Sequence, residues 1–196
     1  MQQQDGKQQQ GIRWHLRQAT AARHEAVDAL GSAFPLETPQ GYRRFLRAHA
    51  RALPAVEQGL EAAGIASLLP DWPGRARRAA LEADLTVLGI AVPSALHFAP
   101  PAGPAAVLGA AYVLEGSRFG NGMLLRQVQA AGDTCASAAT AYLGHKASWP
   151  AFLAQLEQQL ADPALWHGAV EGALAAFACF HAALAAEQAE EPLLHA

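Results

Sequence analysis

The chain has 196 residues, 52% of them apolar, and a formal net charge of −3. That length suits one domain with a core of its own. The charge leaves no basic footprint of a nucleic-acid binder, and no apolar run approaches the ~18–20 residues that span a bilayer.

Alanine and leucine dominate while Ile, Val, Thr and Tyr are scarce, a balance that favours helices over strands. The opening MQQQDGKQQQ is polar and glutamine-rich and lacks the apolar stretch of a signal peptide. Residues 1–10 are expected as a disordered tail, 11–188 as the helical body and 189–196 as a second tail. A cytoplasmic location follows by default.

The first predicted helix covers 11–30, with Leu16, Thr20, Val27 and Leu30 along its apolar stripe. Thr38-Pro39 is a start signal, a capping hydroxyl before a first-turn proline. It opens a helix to residue 63, with Tyr42, Phe45, Leu46, Leu53, Val56 and Leu60 inward and Gly64 as its stop. A third helix is expected over 74–88, with Arg75, Arg77 and Arg78 exposed. Residues 93–104 hold four of the twelve prolines and form a loop. Asp133 or Thr134 caps a short helix to 143, another helix covers 147–161, and the last runs from Pro163 to about 188. No strand pattern and no repeat is present, so the fold class is all-α, one compact multi-helix domain.

One stretch between these elements is unusual. GAAYVLEGSRFGNGMLL, 109–125, is helical in pattern yet carries four glycines, each costing about 0.5–1 kcal/mol relative to alanine. Gly109, Gly116 and Gly120 fall on one side of a helical wheel, and the helix can bend at 116–122. Such a flat face admits either a neighbouring helix or a flat ligand, and the spacing alone leaves both open.

The sequence carries no zinc or nuclease signature, no P-loop, no dinucleotide fingerprint and no nucleophile elbow. Cys135 and Cys179 lack metal-ligand spacing and are expected as free thiols. The titratable residues near apolar faces are mostly histidines. His24 stands out, because Arg17 and Arg13 lie seven and eleven residues before it along one line of the helix. An imidazole can bind haem iron, an arginine can pair with a propionate, and Asp28, one turn on, can take the free ring N–H. A solvated helix face with i,i+4 pairs accounts for the same residues.

LRQATAARHEAVDAL and YVLEGSRFGNGMLLR, with RRAALEADLTVLG and ALAAFACFHAAL, resemble the bacterial haem oxygenases, including the group associated with bacterial phytochromes. The resemblance covers about residues 13–187. It implies haem held between a proximal and a kinked distal helix. His24 then matches the proximal iron ligand, Asp28 the carboxylate that steadies it, and Arg17 a propionate contact, with Arg13 beside it. Gly116 and Gly120 match the distal glycines, Ser117 the adjacent polar position, and Phe177 and Phe180 the aromatic walls. Three features depart from the pattern: Asn121 replaces a usual glycine, Arg118 and Phe119 are bulky, and no Lys or Arg follows Lys146. Arg126 or Lys146 would then stand in as propionate contacts.

The resemblance implies cleavage of haem, both substrate and cofactor, with O₂ and reducing equivalents to biliverdin, CO and ferrous iron. Bare glycine backbone would give O₂ room to tilt toward a porphyrin edge, with protons arriving through water anchored near Ser117. No flavin or nicotinamide motif is present, so an external electron donor is expected, a reductase or ferredoxin. A bacteriophytochrome would be a fitting biliverdin acceptor. Two other readings stay open: a non-catalytic haem carrier or sensor of the same fold, and a haem-free thiaminase-like helical domain in which Cys135 would serve.

Overall fold

A computed structural model of the chain describes residues 11–190; the expected tail at 1–10 and most of that at 189–196 lie outside them. Helix α1 (Ile12–Gly31) buries Ile12, Leu16 and Thr20 along one stripe. Helix α2 (Pro39–Ala62) starts where its cap signal stands: Thr38 Oγ1 accepts from the Gly41 N–H at 3.0 Å. All six residues expected inward on α2 are buried. Gly64 and Gly89 adopt positive φ of 83° and 63° and end the segments before them.

A short helix α3 (Ile65–Leu68) and a 3₁₀ turn (Trp72–Gly74) lead to α4 (Arg78–Val87), which begins four residues later than expected. Arg75 and Arg77 are not exposed; both are buried, at 3% and 1% relative exposure. Each guanidinium finds partners on the glycine-rich segment, described below, and so remains in the interior.

The glycine-rich stretch is two helices, α5 (Pro104–Gly116) and α6 (Arg118–Ala130), meeting at Ser117. The expected helix over 134–143 is also divided, into α7 (Thr134–Ala138), capped by Asp133, and α8 (Ala141–Gly144). The buried Asp84 carboxylate accepts from the N–H groups of Ala141 and Tyr142, both at 2.8 Å, and so fixes the start of α8. Helix α9 (Trp149–Gln159) is capped by Ser148, and a 3₁₀ turn (Pro163–Leu165) precedes α10 (Trp166–Ala189).

Helix α10 is the central element, packed on α1, α2 and α5. It corrects a second expectation: with the turn before it, its span of 27 residues is long and apolar enough to cross a membrane. Half of that apolar window is buried within the protein, as befits a core helix surrounded by others. Among the described residues no strand occurs.

Where α5 crosses α10, glycine is required on both sides. A Cβ on Gly109 would collide with the carbonyl oxygen of Ala169, and one on Gly172 with that of Ala106. The two backbones therefore touch directly.

Candidate functional site

The three glycines grouped by sequence have two separate duties. Gly109 faces α10, whereas nothing lies within 4 Å of a Cβ built on Gly116 or Gly120. These two leave open space beside the α5–α6 junction, the property a flat ligand needs.

His24 stands on α1 with Nδ1 2.9 Å from Asp28 Oδ2. Their side chains are 61% and 67% exposed, so the pair adds little stability. What it fixes is the ring: Nδ1 is engaged and Nε2 remains for a metal. The imidazole meets Phe177 of α10 edge-on, with centroids 5.7 Å apart. Phe177 and Phe180 are both buried on α10, and Phe180 lies 5.8 Å from the ring of His49. Burial pushes the His49 imidazole down to about 4, and its Nδ1 faces the Phe45 carbonyl at 2.8 Å.

At the far end of α1, Arg13 lies over the Trp149 ring of α9, 6.0 Å from its centroid, and Arg17 over Trp14 at 5.6 Å. Trp149 also meets Tyr112 of α5 at 5.8 Å and the exposed Phe119 of α6 edge-on at 5.0 Å. Burial raises the Tyr112 phenol, while the charges of Arg13 and Arg17 act in the opposite sense. Helix α9 thus links the basic end of α1 to the α5–α6 junction. Arg126 is exposed on α6 beside Gly122, and Lys146 is exposed before α9.

Behind the junction lies a buried polar cluster that sequence reasoning missed. Arg77 Nη2 donates to Ser117 Oγ at 2.6 Å and to the Leu114 carbonyl at 2.8 Å. The Asn121 amide, oriented to satisfy both neighbours, accepts from Arg77 Nη1 at 3.0 Å and donates to the Ser117 carbonyl at 3.1 Å. Glu115 accepts from Arg75 at 2.7 Å and from Arg118 at 2.9 Å. Arg118 Nη1 reaches His145 Nδ1 at 2.9 Å, and burial, with Arg118 next, lowers the His145 pKa. Glu57 receives the N–H groups of Arg77 and Arg78 at 2.8 and 3.1 Å, yet burial keeps its carboxyl above the usual range.

Arg118 and Asn121, departures in sequence, are therefore spent inward on this cluster. Ser117 donates its own hydroxyl proton to the Leu114 carbonyl at 2.8 Å. With Arg77 on a second position, its oxygen keeps one lone pair, so it can accept from a water but has no free proton to give. The available sequence signal was an acid inside an apolar helix, Glu115 within AAYVLEG, since a buried carboxylate demands a partner.

An open imidazole Nε2, aromatic walls on α10, two glycines with space above them and arginines at one end fit haem. A family model described as "Heme oxygenase" matches residues 11–186. A heme oxygenase of Xanthomonas campestris pv. campestris (strain 8004) is 38% identical over 150 residues, 74% of this chain and 90% of that protein. The crystal structure of the NO- and CO-bound heme oxygenase from Neisseria meningitidis superimposes with a TM-score of 0.75 at 24% identity, covering 91% of this chain and 92% of that one. The chain belongs to the haem oxygenase family. It is a haem-degrading enzyme of the all-α haem oxygenase fold.

Proposed function

We propose that this enzyme cleaves haem, its substrate, with O₂ and externally supplied electrons to biliverdin, CO and ferrous iron. The observation that carries the reading is His24, whose Nδ1 is held by Asp28 at 2.9 Å so that Nε2 is presented as the ligating nitrogen. Haem supplies the iron centre that activates O₂ and the ring that is cut. The chain supplies shape and polarity. Phe177 and Phe180 wall the pocket, and Gly116 and Gly120 leave room above the ring for O₂ to lean toward its edge. Arg13 and Arg17 meet the propionates, with Arg126 in reserve on α6. Ser117 Oγ, polarised by Arg77, holds a water by accepting a hydrogen bond from it. Electrons come from a reductase or ferredoxin, and a bacteriophytochrome is a fitting acceptor for the product.

The test is a hemin titration followed by ascorbate or a reductase under air. A Soret band that forms and then decays into a broad red-region biliverdin absorption supports the reading. A haem spectrum that persists would make the protein a carrier or sensor, and no Soret band at all would remove haem from the account.

A further inference from the structure

Helices α9 and α10 contain no Lys or Arg, so neither offers a permanently charged cation to an anionic rim of the pocket. In that place α9 presents an indole. Trp149 is the first residue of α9, followed by Pro150, and its position is set from behind. The carbonyl of Ser148 accepts from both Nη atoms of the buried Arg75 at 3.3 Å, and Ser148 Oγ caps the helix. The ring is packed between Phe152, Tyr112 and Phe119. Arg13 from α1 lies over it. The Tyr112 phenol, beside the same ring, feels both Arg13 and Arg17.

We infer that Trp149 is a positioning residue: its indole holds Arg13 across from α1 to α9, and this pair fixes which edge of haem carries the propionates and hence which ring position is cut. The inference rests on the proposed haem cleavage. An arginine on an exposed helix face sweeps many rotamers. A ring fixed on a second helix selects those that keep the guanidinium at this end, through cation–π attraction and stacking. Arg17, stacked on Trp14 of its own helix, gains no tie to α9. Arg13 reaches from α1 onto the Trp149 ring of α9, so haem rotated in its plane would lose a placed partner for its carboxylate.

The test compares wild type, Trp149→Leu, Trp149→Phe, Arg13→Gln and the Arg13→Gln, Trp149→Leu double variant, each loaded with hemin. Haem-methyl proton NMR reads the ratio of in-plane seatings, and chromatography reads the biliverdin isomers. Trp149→Leu should raise the minor-to-major ratio about three- to tenfold. Trp149→Phe, which keeps ring packing, should give a smaller shift, and Arg13→Gln a shift like that of Trp149→Leu. The double variant should match Arg13→Gln alone. Wild-type ratios in both Trp149 variants, or equal further shifts on the Arg13→Gln background, would overturn the inference while leaving haem cleavage intact. A wild-type protein without a Soret band would overturn both.

Discussion

Arg77 donates to the hydroxyl of Ser117 at 2.6 Å, and so a buried cation holds the joint between α5 and α6. The same guanidinium bonds the Leu114 carbonyl and the Asn121 amide and lies 5.0 Å from the centre of the Tyr142 ring. The Leu114 carbonyl keeps the Ser117 hydroxyl as a donor, but loss of the guanidinium leaves the buried Asn121 carbonyl without one and takes a positive charge from beside the Glu57 carboxyl.

Arg77→Met should therefore cost about 2–4 kcal/mol of folding stability, measured by urea unfolding of the haem-free protein. Arg77→Lys should recover only part, because a point ammonium cannot serve the fork of acceptors. A Met variant as stable as wild type would show that the joint holds without it.

The two classes of glycine should respond oppositely. Gly109→Ala drives a methyl into the Ala169 carbonyl and should destabilise by about 1–3 kcal/mol. Gly120→Ala meets nothing within 4 Å and should stabilise the haem-free protein by about 0.5–1 kcal/mol through helix propensity. Gly120→Leu should fold and bind haem but yield less biliverdin. Unchanged product yield from that variant would refute the need for space over the ring.

His24→Ala should abolish the ferric haem spectrum of the wild type and stop turnover. Asp28→Asn should keep ligation but weaken it by about 10–100-fold, read from the hemin titration. A wild-type spectrum in the alanine variant would move the iron ligand elsewhere.

His49 makes stability depend on pH. Its folded pKa of about 4 lies below the ordinary imidazole value of 6.5, so the unfolded chain binds the proton more tightly. The contribution is complete above pH 6.5 and is lost as pH falls toward 4, with a ceiling of about 3 kcal/mol. Urea midpoints between pH 7 and 4 should fall less steeply in His49→Gln than in wild type.

The helical class and the local contacts of the candidate site were legible because they rest on local pattern. Thr38-Pro39 caps α2 through a bond three residues long, and Asp28 reaches His24 within one turn. The arginine cluster was not legible. Arg75 is buried by Glu115, 40 residues on, and the Arg77 backbone by Glu57, 20 residues back. No window of sequence shows such partners, so RARR resembles an exposed basic turn. For the same reason Arg118 and Asn121 stood out as departures from the family's pattern, although both turn into the interior.

The backbone contact of α5 with α10 has a mechanical consequence. Side-chain packing can be re-sorted by rotamer changes, but carbonyls seated on glycines cannot slide past each other without separating the helices. Gly172 therefore serves as a datum for the rest of α10, and Phe177 and Phe180, five and eight residues further on, inherit its register. If haem sits as proposed, one side of its slot is held like the fixed jaw of a vice, and adjustment to a flat substrate would fall to α6 beyond Ser117 and to the exposed His24 face of α1.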